Sequence, residues 1–268
     1  RSFEETTLPT IKKYVIEANR SCKVFVHTYE GDSLRNAKKL SSLTYHDSKA
    51  IIIEREKDFK NQRNTTYFHQ FFPTSSKAWK FPRSIDNMIR QWHSISKACY
   101  LMLDFENQRQ LNFDRVGFFR PDVLYTHPIS IEDEDELAVI PSMTYKATKW
   151  IGFNDRMFYG SREFAEIWAS HRFDNVEKYI QWQESESLRH NDILHNLRGL
   201  HSENFIRYLL TIHGRCPLKF KNICFKRVRS NGKIFNKDCN HLRSHDDGNA
   251  FRNGNKSNFK SDEADLMS

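Results

Sequence analysis

The sequence predicts an α/β sandwich with a mostly parallel central sheet, built as one domain over residues 1–240. Short runs rich in Val, Ile and Phe alternate with amphipathic stretches along the chain. The run Arg115–Phe119 holds Val, Gly and Phe with no polar interruption, as in a strand covered on both faces. The 268 residues include 21 Phe, 10 Tyr and 5 Trp, enough aromatic volume for a sizeable core.

The elements follow in order. Residues 8–18 place Leu8, Ile11, Tyr14, Val15 and Ala18 on one face of a helix. Lys23–Tyr29 reads as a short buried strand, 33–40 as a helix and Ala50–Ile53 as a strand. Residues 58–82 are polar and aromatic with two prolines, an excursion or lid loop. A long helix over 84–109 keeps Ile85, Ile89, Trp92, Ile95, Cys99, Met102 and Leu103 at three-to-four spacing, with Ser84 as N-cap. Strands are expected at Arg115–Phe119, Leu137–Ile140 and Met157–Gly160; Ser161 caps a helix over 162–169. Helices over 174–190 and 202–213 and a strand over Ile223–Val228, ended by an Asn231-Gly232 turn, complete the domain. Residues 241–268 are Asn, Ser, Gly, Asp and Lys with few large apolar groups, a disordered polar tail. The acid run Glu132–Glu136 reads as a solvated turn, and no internal repeat is present.

The net charge of +8 is concentrated. Residues 215–243 carry nine Lys/Arg against Asp238 alone, with Phe220, Phe225 and Phe235 interleaved. Such a segment is a solvated basic strand and loop, or a site for an anionic ligand, nucleic acid included. No apolar run approaches the ~20 residues of a membrane span. The chain begins at Arg1 rather than Met and reads as trimmed, which leaves room for an anchor or targeting segment upstream. Five cysteines allow one disulfide among Cys216, Cys224 and Cys239, and their spacing fits no zinc template. Sequons at Asn19, Asn64 and Asn255 permit a secretory-pathway reading. A Gly-rich phosphate loop, GxSxG and HExxH are all missing, so cofactor-dependent redox chemistry and triad hydrolysis lack support.

Three polar knots interrupt the apolar runs: Arg120-Pro121-Asp122, Asn154-Asp155-Arg156 and His201-Ser202-Glu203. Pro121 stiffens the exit of a buried strand, so Asp122 is fixed where ligands enter such sheets. There it binds Mg²⁺, Mn²⁺ or a ribose hydroxyl, with Arg120 on phosphate, or the two simply pair. Asp155 is a general base or an acceptor-binding carboxylate, or part of an Asx turn. Ser202 and Glu203 open a helix as cap and first-turn acid, or Glu203 and His201 line the same cleft, with His201 as a metal ligand.

With these residues in view, the chain resembles nucleotide-sugar-dependent glycosyltransferases of GT-A-like fold. The motifs are Arg1-Ser2-Phe3-Glu4, Pro9-Thr10-Ile11, Lys23-Val24-Phe25-Val26-His27-Thr28-Tyr29, Arg120-Pro121-Asp122-Val123-Leu124-Tyr125, Asn154-Asp155-Arg156-Met157-Phe158-Tyr159-Gly160 and His201-Ser202-Glu203. They cover about residues 1–235, and their order and spacing carry the likeness more than any one of them. The resemblance implies a sugar-nucleotide donor, a glycan or glycoconjugate hydroxyl as acceptor, and a first strand lying upstream of Arg1. Arg1, His27, Tyr29, Arg120, Asp122, Asn154 and Arg156 would bind the donor, Asp155 and Glu203 would be catalytic, and Asp122 and His201 would hold Mn²⁺ or Mg²⁺. Arg120-Pro121-Asp122 stands where such enzymes carry Asp-x-Asp, so arginine can neutralise diphosphate in place of a cation. The implied setting is the Golgi lumen or secretory pathway behind an upstream anchor, with the cytoplasm as the alternative. Two other readings stay open: a nucleic-acid-binding module built on 215–243, and an inactive sugar-binding protein of the same fold.

Overall fold

The first helix, α1 (Leu8–Ile11), passes directly into a π-helical turn, Lys12–Ile16, so the amphipathic stretch coils throughout but widens midway. Leu8, Ile11 and Val15 are buried along its inner face. The computed structural model describes residues 6–19, 21–30, 41–44, 48–73, 79–132, 137–142, 152–189, 198–229 and 231–235. The expected helix over 33–40, the tail 241–268, Arg1, Asn255 and Cys239 lie outside them.

The strand β1 (Val26–Tyr29) pairs in parallel with β2 (Ile51–Glu54), Val26 opposite Ile51 and Tyr29 opposite Glu54. Next come α2 (Glu56–Gln62) and α3 (Thr65–Phe68), where an open excursion was expected. Phe59 and Phe68 drive the difference by dropping into the core, and helices this short show no readable periodicity. Helix α4 (Arg83–Arg109) matches its apolar stripe closely. Pro82, not Ser84, occupies its N-cap, and the Ser84 hydroxyl accepts from Lys80 N at 2.8 Å.

Strand β3 (Arg115–Phe119) leads through the Arg120–Asp122 turn into β4 (Val123–Tyr125), followed by β5 (Ala138–Pro141) and β6 (Met157–Ser161). Helix α5 (Arg162–Ser170) starts behind Ser161, whose side chain accepts from Phe164 N as the sequence predicts. Helix α6 (Val176–Arg189) and α7 (Ser202–Tyr208) follow, α7 running on as a π-helical turn over Leu209–His213. Strands β7 (Leu218–Lys221) and β8 (Phe225–Arg227) are the last strands, and Gly232 N donates to Arg229 O in the turn beyond.

The largest sheet has the order β3-β6-β5-β7, and here the expectation of a mostly parallel sheet is corrected. The β3–β6 and β5–β6 pairs are antiparallel, β5–β7 is parallel, and β1–β2 and β4–β8 form separate two-stranded sheets. The physical reason is that an uninterrupted apolar run reports burial on both faces, whichever way the neighbours run. Both faces are indeed covered, because successive side chains of one strand point to opposite sides. Phe158, Ala138 and Ile140 meet Cys99, Met102, Trp168 and Ile206 on the helical side; Met157, Tyr159 and Val139 meet Leu8, Ile11, Val15, Tyr125 and Phe225 on the other. A third cluster joins Phe59, Ile85, Trp92, Tyr179 and Phe205, with the Trp92 and Phe205 rings stacked at 4.7 Å.

Cys22, Cys99 and Cys216 are free thiols, and Cys224 is disulfide-bonded. Asn19 lies buried, its amide donating to Val15 O and Ile129 O while its oxygen accepts from Ile131 N, so the folded chain hides that sequon. Among the described residues no helix is long and apolar enough to cross a membrane.

Gly199 is the glycine that the backbone most plainly requires. Its φ is +101°, and a Cβ there would stand 2.8 Å from Phe71 O and 2.9 Å from Pro73 Cα. Gly199→Ala is expected to cost about 2 kcal/mol or more of stability in chemical denaturation; an unchanged midpoint would contradict this packing.

Candidate active site

The Arg120–Asp122 turn is pinned by the chain around it. Arg120 N donates to Arg156 O at 3.1 Å, Tyr125 Oη donates to Arg120 O at 3.2 Å, and Val228 N donates to Asp122 O at 2.9 Å. The Arg120 guanidinium then grips both oxygens of Asp122, Nε at 2.8 Å and Nη2 at 2.6 Å. Its remaining nitrogen, Nη1, donates to Gln91 Oε1 at 3.0 Å and lies 3.7 Å from Asp155 Oδ2.

The second knot reaches the same place from β6. Asn154 Oδ1 accepts from Arg156 N at 2.8 Å, the Asx turn that was one reading of this stretch. Phe153 N donates to Glu203 O at 2.9 Å, which docks the loop on the start of α7. Close approach requires Gly152, since a Cβ there would meet Glu203 Cβ and Asn204 Oδ1 at 2.8 Å. Ser202 is not the cap of α7; His201 stands at that position, and the Ser202 hydroxyl donates to Asp155 Oδ2 at 2.8 Å. Arg156 Nη1 lies 3.5 Å from Asp155 Oδ1 and 3.3 Å from Glu203 Oε1. Asp122, Arg120, Asp155, Arg156 and Glu203 therefore form one alternating chain of charge across three distant segments.

Asp155 is the buried centre of that chain. Burial favours its protonated form, but Arg120, Arg156, the Ser202 hydrogen bond and Arg172 outweigh it and hold the carboxyl below its usual range. Arg172 carried no expectation from the sequence. It is fully buried, with Nε donating to Trp168 O at 2.7 Å and its guanidinium 4.2 Å over the Trp168 ring. Its Nη1 and Nη2 have no hydrogen-bond partner among the described residues. Burial pushes its pKa down to about 9, against the pull of Asp155. His201 is buried beside Trp79, ring centres 4.8 Å apart, and burial lowers its pKa to about 4.

His27 and Tyr29 make their contacts in a second cluster. His27 Nδ1 meets Ser94 Oγ at 3.0 Å and its Nε2 lies 3.3 Å from Glu54 Oε2. Tyr29 Oη donates to Arg90 O at 3.0 Å, under an Arg90 side chain that pairs with Glu56. Helix α4 joins the two clusters, with Gln91 turned to Arg120 and with Arg90, His93 and Ser94 turned to β1 and β2. Among the described residues, the metal-capable group is His27, Glu54 and His93, with ligand atoms within 4.8 Å of one another. Hydrogen bonding already holds two of its members, Glu54 and His93. Arg63 Nε donates to His93 Nδ1 at 3.3 Å, which puts the ring proton on Nε2, facing Glu54 Oε2 at 2.8 Å; Gln62 Nε2 takes the other Glu54 oxygen at 2.8 Å. Asp122 and His201 do not join a three-ligand group among the described residues, and both Asp122 oxygens are held by Arg120. In the basic segment, Phe225 is buried, Phe220 packs on Phe153 at 5.2 Å, and Phe235 is covered by Arg227, Arg229 and Lys233.

The chain matches no protein-family model and no curated protein. Among solved structures it is similar to mouse xyloside xylosyltransferase 1 in its apo form, at 10% identity and a TM-score of 0.38 over 82% of each chain. It is also similar to the apo-form glycosyltransferase GlyE of Streptococcus pneumoniae TIGR4, at 13% identity and a TM-score of 0.24, over 74% of this chain and 45% of that one.

Two outcomes are expected. His201 has a folded pKa of about 4 against about 6.5 unfolded. Its neutral burial therefore supports the fold above about pH 6.5, and that support, about 3 kcal/mol, is lost as pH falls through the window to about 4. In urea denaturation from pH 7 to 4, His201→Gln should flatten the fall in stability by about one proton; an unchanged slope contradicts the assignment. Arg156→Met leaves Asp155 and Glu203 without their shared cation and should cost about 3 kcal/mol, whereas a loss within 0.5 kcal/mol, the range of ordinary surface changes, would show that the arginine does not hold the pair.

Proposed function

We propose that this chain is a glycosyltransferase that moves a sugar from a nucleotide-sugar donor to a hydroxyl acceptor. The observation that carries the reading is the convergence of the three knots: Asp122 on Arg120, Arg120 beside Asp155, and Asp155 and Glu203 sharing Arg156. The order of the motifs that hold these residues supports the same reading.

In the proposed reaction the acceptor oxygen bonds to the anomeric carbon as that carbon's bond to the phosphate oxygen breaks. The bonding pair leaves with the diphosphate, and the hydroxyl proton passes to Asp155. Asp155 is ionised at neutral pH and its Oδ1 has no hydrogen-bond donor among the described residues; the arginines that keep it ionised weaken it as a base, and Arg120 turning to the phosphate relieves part of that. Charge developing on the diphosphate is met by Arg120, released from Asp122 as phosphate oxygens take the carboxylate's place. With both Asp122 oxygens on arginine, the donor set favours this over a divalent ion. Glu203 holds Arg156 in line, and the disulfide at Cys224 supports a secretory-pathway setting.

The test is a thermal-shift screen of UDP- and GDP-sugars with and without Mn²⁺. One donor should raise the melting temperature, Arg120→Gln should abolish the rise, and Asp155→Asn should keep it while losing transfer by about a hundredfold or more. No shift with any nucleotide sugar would contradict the proposal, and a donor shift without transfer would favour the inactive sugar-binding reading.

A further inference from the structure

We propose that the Trp79 and Phe81 rings, with Phe72 packed edge to face against each, offer the apolar contact for a pyranose ring of an oligosaccharide, the acceptor subsite of the site above. The word acceptor rests on the glycosyltransferase reading; the carbohydrate platform stands on its own observations.

The first observation is position. Trp79 packs on His201, the residue before the Ser202 that holds Asp155. Phe72 lies 6.4 Å from Trp79 and 5.3 Å from Phe81, ring centre to ring centre. Leu200 N donates to Phe71 O at 2.6 Å, and Gly199 lets the two segments touch, so the platform is fixed against the start of α7.

The second observation is exposure. Phe81 is 61% exposed, and Trp79 is half-buried. Solvent-facing aromatic surface beside a set of convergent polar groups is the composition of a ligand site. A pyranose fits both parts. Its C–H face is apolar and carries slight positive charge, which suits the negative face of an aromatic ring. Its hydroxyls need donors and acceptors at the edge. Asn154 Nδ2 and both amide atoms of Asn204 are buried next to Asp155 and Glu203 with no partner among the described residues. Unmet hydrogen bonding beside the carboxylates, together with exposed aromatic surface packed on His201, suits a polyhydroxylated ring rather than a purely apolar or purely ionic ligand.

The experiment presents the full chain to an array of immobilised oligosaccharides of gluco, galacto, manno and xylo configuration. Wild type should bind a subset. Trp79→Ala and Phe81→Ala should each weaken that binding about tenfold, while Trp79→Phe retains it and Tyr100→Ala, an exposed ring on α4, leaves it unchanged. Melting temperatures of Phe81→Ala and wild type should agree, since an exposed ring carries little of the core. Failure of wild type to bind any oligosaccharide, or binding by both alanine variants as strong as that of wild type, overturns the platform. Oligosaccharide binding lost in those variants, with no nucleotide-sugar shift in wild type, sinks the transferase reading and leaves the platform intact.

Discussion

A buried carboxylate is the constraint on which the rest of this structure turns. Taking the Asp155 charge out of water costs several kcal/mol, and it remains ionised only because cations and donors are delivered to it. Arg120 comes from the end of β3, Arg156 from the mouth of β6, Ser202 from the first turn of α7, and Arg172 from the connection after α5. Each is brought by a different segment, so the network fixes where those segments end. Removing one partner exposes the remaining charges to one another, which makes the site both precise in geometry and sensitive to substitution.

Helix α4 sets the spacing around that centre. One turn of it sends Gln91 to Arg120, Trp92 to Phe205, and Arg90, His93 and Ser94 to the β1–β2 ends. The buried Glu54 is satisfied by His93 and Gln62, while His27 Nε2, 3.3 Å from Glu54 Oε2, makes no hydrogen bond among the described residues. The Asp155 half leaves more groups unmet. Arg172, Asn154 and Asn204 keep donors without protein partners among the described residues, the condition expected where a ligand completes the bonding.

Much of this was legible in the residues themselves. The apolar stripe of α4 and the Ser161 cap of α5 follow from local rules, and the structure realises both. The three knots were readable because polar residues between apolar runs have few places to go, and they meet as that argument requires. Sheet direction was not readable, because the alternation of Met157, Phe158 and Tyr159 between two cores says nothing about whether β3 runs with β6 or against it. Arg172 was invisible for a related reason. An arginine between aromatic segments reads as surface until the Trp168 ring and the Asp155 charge are seen beside it. Ser202 looked like a helix cap because the sequence shows its neighbours along the chain and not the carboxylate 47 positions away.

The central claim is that one site holding Asp122, Asp155 and Glu203 receives an activated sugar. The most direct measurement follows the arginine side-chain Nε–Hε signals by NMR while a nucleotide sugar is added. The account predicts that the signals of Arg120 and Arg156 move together and saturate at one ligand concentration. Movement confined to arginines of the 215–229 segment, with Arg120 and Arg156 still, would contradict it.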